Sequence, residues 1–329
     1  MKRIDFHSHV IPESIIDAMR ADPELYATRI EEQAGKRYFV RGKVRLELTP
    51  EFWSAEGKLE AMDRKGIEIA VVSPGPQIFF HHLPFAEGVR AARLVNDGIA
   101  QMVAANPHRL RGMAGLPMQH PEAAVAEMER VAREYGFKAV EIATAAPQGE
   151  IADPAYRPLL RRAQELKMTV FAHPNTVGAV APRLDCYYLG NIIGNPLETA
   201  IMAAKLMYSG ALDELPELKM LLAHGGGFLP YQIGRLAHGH TVRPETRAEC
   251  GTSPRELLGR FYFDTITHDP QALRFLIDLV GSERVVLGSD SPFDMGDEDP
   301  VESLRRVAQL SEAEHADICH RTAMRLLGE

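Results

Sequence analysis

The stretch Ile4-Asp5-Phe6-His7-Ser8-His9 decides how the rest of the chain is interpreted. It starts as an apolar run that favours a β-strand and ends in two histidines spaced two residues apart. Because side chains at positions i and i+2 of an extended strand lie on one face, both imidazoles can point at one metal ion. Such a pair is common by chance, so its meaning depends on what recurs later in the chain.

Three later apolar runs also end in a residue that can bind a metal. They are Val170-Phe171-Ala172-His173, Leu221-Leu222-Ala223-His224 and Val285-Val286-Leu287-Gly288-Ser289-Asp290. We therefore expect one convergent site, in which a three-nitrogen, one-oxygen set binds one divalent ion, Zn²⁺ or Mn²⁺, with one position open for water. The predicted ligands are His7, His9, His173 and Asp290. Asp290 is expected to serve as ligand, as catalytic base, or as both in turn.

The histidine of the second of these runs, His224, precedes three glycines, Gly225-Gly226-Gly227. Glycines let a substrate or a backbone segment approach closely. Two roles are open for His224, a fourth nitrogen ligand or a general base beside the metal-bound water, and we favour the base. No Lys-Ser or Lys-Thr pair follows the glycines, so this segment is not a phosphate-binding loop.

Eight short apolar runs alternate with helical patterns along the chain, which is typical of parallel β/α units. An open, doubly wound sheet is the competing fold, but it usually binds a ligand at one point between neighbouring strands. Here the candidate ligands follow the first, fifth, sixth and eighth strands, and only a closed sheet places the first strand beside the last. We predict an α/β fold, a (β/α)₈ TIM barrel, with residues 1–329 as one domain and residues 10–58 as an insertion over the carboxyl-terminal face.

The composition narrows the class of partner. The 329-residue chain has a formal net charge of −8 and no basic run, which argues against nucleic acid. No apolar stretch approaches the roughly 18 residues of a membrane span, and Asp5 lies where the apolar part of a signal peptide would begin. The cysteines, Cys186, Cys250 and Cys319, are far apart and odd in number, which favours reduced thiols and a cytoplasmic location.

The segments around the candidate ligands resemble the amidohydrolase superfamily, and more narrowly the aminocarboxymuconate-semialdehyde decarboxylase family. The resemblance rests on Asp5-Phe6-His7-Ser8-His9, Ala172-His173-Pro174, Ala223-His224-Gly225-Gly226-Gly227 and Gly288-Ser289-Asp290-Ser291-Pro292-Phe293, and it spans essentially the whole chain. It implies a (β/α)₈ barrel with one divalent metal, usually zinc, and non-oxidative decarboxylation, although some relatives are hydratases or C–C hydrolases. It also implies that the four predicted ligands bind the metal and that His224 works on the metal-bound water.

The resemblance further assigns two arginines to substrate binding, and the planar fork of an arginine suits a carboxylate. Arg45 resembles an arginine that binds a substrate carboxylate, and Arg41 or Arg37 takes its place if the alignment shifts. Arg235 resembles a second such arginine, which in the family reaches across from the neighbouring subunit. A homodimer or a higher homo-oligomer is therefore expected.

The chain also departs from the family pattern. The segment Asn175–Asn195 differs and is expected to shape the pocket, so it leaves the substrate open. Binuclear amidohydrolases have a carboxylated lysine at the end of the fourth strand, but here that end reads Val140-Glu141-Ile142-Ala143 and Lys138 lies at the other end. We therefore expect one metal. Three further histidines are expected to be pocket walls at most: His81, His82 and His268.

These observations predict a metal-dependent, non-oxidative decarboxylase of an unsaturated or aromatic carboxylic acid. The first alternative is a hydrolase or hydratase of the same superfamily acting on a related small carboxylate. A second alternative is a catalytically idle barrel that binds a metabolite. The complete ligand set argues against the idle barrel, because decay usually removes a ligand first.

Overall fold

The computed structural model describes residues 2–146, 149–175 and 181–329. Within them, eight parallel strands form one sheet in which each strand pairs with the next one along the chain. The strands are β1 (Ile4–Val10), β2 (Ile69–Pro74), β3 (Leu110–Gly115), β4 (Ala139–Ala143), β5 (Thr169–His173), β6 (Lys219–Leu222), β7 (Phe261–Asp264) and β8 (Val285–Val286). The predicted (β/α)₈ barrel is confirmed.

The barrel closes between β1 and the segment that continues β8. The amide of Phe6 donates to the carbonyl of Leu287 at 2.8 Å, and the amide of His9 donates to the carbonyl of Ser291 at 2.7 Å. The first and last strands are therefore neighbours, as the distribution of candidate ligands required.

Helices cover the outside of the barrel. They are α1 (Glu13–Ala21), α2 (Pro50–Trp53), α3 (Ala55–Lys65), α4 (Phe85–Ala105), α5 (Pro121–Glu134), α6 (Arg157–Glu165), α7 (Asn195–Tyr208), α8 (Ala211–Glu214), α9 (Leu229–Val242), α10 (Pro254–Leu258), α11 (Pro270–Val280), α12 (Pro300–Arg305), α13 (Glu312–Ala316) and α14 (Thr322–Leu327). Among the described helices, none combines the length and the apolar character that crossing a bilayer requires.

Two apolar cores hold these layers together. The smaller one fills the barrel with inward side chains such as Phe6, Phe171 and Leu221, and Leu326 of α14 belongs to it. The Thr169 hydroxyl at the start of β5 donates to the Leu326 carbonyl at 3.0 Å, so α14 closes the amino-terminal end of the barrel. The larger core lies between the strands and the surrounding helices. The carboxyl-terminal end is therefore left open for a site, as is usual in this fold.

The region between β1 and α3 contains a separate antiparallel sheet of three strands, which span Arg29–Gln33, Lys36–Arg41 and Val44–Glu47. The second and third of them pair antiparallel. The chain returns to the barrel at α2, where the Ile11 amide donates to the Phe52 carbonyl at 2.7 Å. The domain limits 1–329 and 10–58 stay a prediction.

Candidate metal centre and active site

The four predicted metal ligands converge at the carboxyl-terminal end of the barrel. One ligand atom from each of His7, His9, His173 and Asp290 lies within 4.8 Å of all the others, and all four residues are buried. Two histidines come from β1, where the pairing register with β2 shifts between Asp5 and Ser8. The third lies at the end of β5, and Asp290 follows β8 across the closing seam.

The geometry of this cluster fits a cation. The Nε2 atoms of His7 and His9 are 3.0 Å apart, and Asp290 Oδ1 lies 3.3 Å from the first and 3.2 Å from the second. Two of the facing atoms, His173 Nε2 and Asp290 Oδ1, are buried without a hydrogen-bond partner among the described residues. Buried polar atoms are rarely left unpartnered. Three imidazole nitrogens and one carboxylate oxygen suit a single divalent ion such as Zn²⁺.

Two of the three imidazoles are held neutral, and the third lies where nearby carboxylates favour positive charge. Burial and the neighbouring imidazoles of His9 and His224 hold the pKa of His173 well below its usual range, and burial lowers the pKa of His9 to about 4. Both rings are therefore neutral and offer a lone pair near neutral pH. Burial also lowers the pKa of His7, but the carboxylates of Asp290 and Asp264 outweigh it and raise that pKa to about 10.

Asp264 at the end of β7 is a site residue that the sequence analysis missed. Its Oδ2 accepts hydrogen bonds from His7 Nδ1 at 2.7 Å and from the His224 amide at 2.9 Å. Its Oδ1 accepts from the amides of Gly225 at 2.8 Å and Ile266 at 3.0 Å. Because a carboxylate only accepts, His7 Nδ1 carries its proton and His7 Nε2 is left to face the ligand cluster.

The signal for Asp264 was present in the sequence. Phe261-Tyr262-Phe263 is an apolar run that ends in Asp264, and a carboxylate at the end of a barrel strand is typical of a site residue. Asp264 contacts the far nitrogen of His7, Nδ1, so a pattern of direct metal ligands does not include it.

His224 lies beside the ligand cluster and also reaches the open space above it. Its Nε2 is 3.4 Å from Asp290 Oδ2, and its ring centroid is 5.0 Å from that of His173. The residue has a φ of +56°, in the left-handed region that non-glycine residues seldom adopt. Hydrogen bonds from its own amide and that of Gly225 to Asp264 support this conformation.

The glycines after His224 are required by close packing. A Cβ on Gly227 would lie 2.2 Å from the Pro196 carbonyl oxygen, and the φ of Gly227 is +60°. The segment therefore packs directly against the start of α7, which explains the triple glycine without a flexible turn.

A cavity of about 510 Å³ opens above the cluster, and His224 and Asp290 line it. Apolar residues form most of its wall, and its polar residues include Asn191, Asn195 and Thr267. The apolar residues include Ile192, Phe228, Ile266, Phe275, Leu276 and Met295. His268 also lines the cavity, as expected for a pocket wall, whereas His81 and His82 are not among its described lining residues.

The described lining contains no lysine or arginine. Part of the loop expected to shape the pocket is seen in this wall, since Asn191 and Asn195 belong to it. Residues 176–180 of that loop lie outside the described residues.

Neither predicted carboxylate-binding arginine lines this cavity in the single chain. The Arg45 guanidinium stacks on the Tyr38 ring, 3.5 Å from the centroid, and donates to Gln33 Oε1 at 2.8 Å. Arg235 lies exposed on α9, and no ion pair links it to another residue in the described part of the chain. Their substrate-binding roles stay predictions.

The two alternative arginines are partly buried and have partners of their own. Arg37 donates to Glu13 Oε2 at 2.6 Å. Arg41 donates only to neutral oxygens, among them the Gln77 carbonyl at 2.8 Å and the Thr28 hydroxyl at 3.0 Å. Burial lowers the pKa of Arg41 to about 10.

The end of β4 agrees with a site for one ion. Glu141 is buried, and its nearest basic neighbour is His9 Nδ1 at 3.9 Å. Burial raises the pKa of this carboxyl well above its usual range. Lys138 is exposed and precedes β4, at the opposite end from the cluster. Within the described residues, the four-residue cluster is the single group found that combines three or more possible metal ligands.

A (β/α)₈ barrel with this ligand set at its carboxyl-terminal end defines a metal-binding barrel of the amidohydrolase type. The family profile described as "Amidohydrolase" matches residues 4–328, and the chain belongs to this family. It is 30% identical to a 2-amino-3-carboxymuconate-6-semialdehyde decarboxylase of Dictyostelium discoideum, over 99% of this chain and 91% of that protein. The resemblance stated from the sequence is confirmed.

Solved structures of decarboxylases share the fold. The 5-carboxyvanillate decarboxylase of Sphingomonas paucimobilis superposes with a TM-score of 0.84 and 25% identity, over 100% of this chain and 99% of that one. The dihydroxybenzoic acid decarboxylase of Polaromonas sp. JS666, solved with bound manganese and the inhibitor 2-nitroresorcinol, gives a TM-score of 0.80. It is 24% identical, over 99% of this chain and 97% of that one.

Proposed function

We propose that this chain is a metal-dependent, non-oxidative carboxy-lyase that acts on an unsaturated or aromatic carboxylic acid. The observation that carries the proposal is a buried three-histidine, one-aspartate cluster directly below an apolar cavity, with His224 between the two. The names of the relatives support the reaction class, since they are decarboxylases of such acids.

His7, His9, His173 and Asp290 would hold the ion, and we propose Zn²⁺ first and Mn²⁺ second. When bound there, a divalent cation supplies Lewis-acid stabilisation of negative charge. The donor set is compatible with either ion, because affinity alone does not separate the divalent metals at a mixed nitrogen and oxygen site. Manganese is the ion bound in the Polaromonas enzyme.

The remaining chemistry belongs to the residues that face the cavity. The apolar wall would pack against the planar, unsaturated part of the substrate and exclude water from the reacting carbon. His224 Nε2 and Asp290 Oδ2 lie 3.4 Å apart. A slightly shorter distance would let a proton move from one to the other. That proton would go to the carbon that bears the carboxylate. The bond from that carbon to the carboxylate then breaks, CO₂ leaves, and the bonding electrons return to the unsaturated system.

The second acidic group of a dicarboxylate substrate would need a cation that the described lining does not contain. We propose that Arg235 provides it to the neighbouring subunit of a homodimer or higher homo-oligomer, and that Arg45 serves a carboxylate in its own chain. The Arg235 proposal is supported by its exposed and unpaired side chain in the described chain. Arg235 lies on α9, whose first turn contains the cavity residues Pro230 and Tyr231. A cytoplasmic location is proposed from the free thiols of all three cysteines.

The test is turnover by metal-loaded protein on a panel of aromatic and unsaturated acids, with CO₂ and product mass recorded together. The proposal expects one CO₂ per turnover and a product lighter than the substrate by CO₂. Without gas, one product heavier by one water would indicate a hydratase, and two products whose masses sum to that of the substrate plus one water would indicate a hydrolase. No turnover by protein shown to contain its ion would favour the idle barrel.

A further inference from the structure

The closing seam of the barrel sets the geometry of the ligand cluster. Three of the four ligands lie on it, because His7 and His9 belong to β1 and Asp290 follows β8. The Asp290 amide donates to the His7 carbonyl at 2.8 Å, and the His9 amide donates to the Ser291 carbonyl at 2.7 Å. Any slip of one strand past the other would therefore change the distances among the ligand atoms.

An ion pair between buried Lys58 and partly buried Glu51 lies behind this seam. The Lys58 side chain on α3 is only 1% exposed, and its Nζ donates to Ser8 Oγ at 3.0 Å and to Glu51 Oε1 at 3.3 Å. The same oxygen of Glu51 accepts a hydrogen bond from the Ser291 hydroxyl. Ser8 lies between the two histidines of β1, and Ser291 directly follows Asp290. One ammonium and one carboxylate thus contact both ligand-bearing segments.

Stability alone does not explain such a pair. Taking two charges out of water costs several kcal/mol per ion, and well-packed apolar residues of similar size often serve as well or better. Burial lowers the pKa of Lys58 although Glu51 and Asp5 raise it, which shows that desolvation is the larger effect. Buried ionic groups are best attested where they select one arrangement of the chain over others. Here the arrangement that the pair contacts is the register of the seam.

We propose that Lys58 and Glu51 are positioning residues for the metal centre. By holding Ser8 and Ser291 together from the outer side of the seam, they keep His9 and Asp290 at the separation that one ion requires. This inference rests on the proposed metal-dependent function, and it assigns to the insertion after β1 a role in building the site. Groups that orient metal ligands typically change metal affinity or activity by about 10- to 100-fold when they are removed.

The experiment separates positioning from stability. Lys58→Met alone leaves the partly buried Glu51 without its partner, so both thermal stability and metal affinity should fall. The double variant Lys58→Met/Glu51→Leu removes both charges, so thermal stability should recover while the affinity stays lower by about 10-fold or more. Metal affinity is measured by chelator competition, and the visible absorption of the Co²⁺-loaded protein reports the ligand geometry. The proposal is overturned if the double variant regains both the affinity and the spectrum of the parent chain.

Lys65→Met is the matched control. Lys65 lies on the same helix, is also buried, and pairs with Glu298 at 2.5 Å instead of with the seam. Lys65→Met should leave the metal affinity within about twofold of the parent, because Lys65 does not contact the groups that orient the ligands. An equal loss of affinity in Lys65→Met would show a general effect of the helix and would contradict the positioning role.

If the double variant does not fold, Ser8→Ala/Ser291→Ala replaces it, since this change removes the two hydroxyls and keeps the ion pair. A lower metal affinity and an altered Co²⁺ spectrum are expected, and parental values for both would overturn the proposal. The proposed function and the positioning role of Lys58 and Glu51 are refuted by different results. A parent chain that binds no divalent ion refutes the proposed function itself. A parent that binds the ion while all these variants bind it equally well refutes only the positioning role.

Discussion

Replacing Asp264 with asparagine changes only one polar group and tests whether this carboxylate orients the metal centre. The carboxylate accepts four hydrogen bonds, from His7 Nδ1 and the amides of His224, Gly225 and Ile266. An asparagine side chain has nearly the same shape, but one of its two ends is a donor. Each orientation of the amide therefore places an NH₂ group against atoms that are themselves donors.

The cost can be followed for both orientations. If the NH₂ group of the asparagine faces His7, then His7 Nδ1 must accept a hydrogen bond and the ring proton moves to His7 Nε2. This ring then no longer offers a lone pair to an ion. The His224 amide also loses its acceptor. If the NH₂ faces the other way, the amides of Gly225 and Ile266 lose their acceptor. Each buried unsatisfied group costs about 1–3 kcal/mol. The protein should therefore lose stability, and its metal affinity should fall by about 10- to 100-fold.

Chelator competition measures the affinity, and thermal unfolding of the metal-free protein measures the stability separately. Asp269→Asn is the matched control, because Asp269 lies on the loop after the same strand and caps α11 by accepting from the Ala272 amide at 2.8 Å. Asparagine caps a helix about as well as aspartate, so this control should be nearly neutral. A metal affinity of Asp264→Asn within about twofold of the parent would refute the orienting role of Asp264, because removal of a ligand-orienting group is expected to cost more.

Three further predictions concern the metal centre, the subunit contact and an ion pair outside the site. His173→Ala should lose the bound ion in a metal assay. His224→Ala should keep the ion but lose turnover by about 10²-fold or more, as for a lost general base. Loss of the ion in His224→Ala would instead show that His224 is a ligand. Mixing inactive Arg235→Ala chains with inactive His224→Ala chains should restore part of the activity once subunits exchange, and no recovery above either parent would exclude a shared site. Glu314→Gln should be less stable than the parent by at most about 1 kcal/mol at pH 7. Arg274 and Ser311 lower the pKa of Glu314 from 4.5 to about 2, so its stabilisation is complete above pH 4.5 and is lost as the pH falls towards 2. Melting temperatures at pH 7, 5, 4 and 3 should therefore converge, and a gap that does not change with pH would contradict the assignment.

The sequence by itself determined the barrel and the four candidate metal ligands that the structure brings together. This was possible because both depend on short-range rules. Strand periodicity places His7 and His9 on one face, and parallel β/α topology brings every strand end to the same side of the barrel. When a residue that can bind metal follows such a strand, its position in the sequence is therefore enough to place it near the site.

Only the tertiary structure decided what supports these ligands. Asp264 reaches His7 across 257 positions in the chain, and Lys58 reaches Ser8 across 50. In sequence, Lys58 resembles any charged residue on the outer face of a helix, and nothing local shows that the Arg45 guanidinium stacks on Tyr38. Such partners are selected by how distant elements pack against one another, and hydrogen bonds act over only about 3 Å. No local pattern records those distances, so the ligand-bearing strand ends can be read from the sequence while the groups that orient them become visible only in the folded chain.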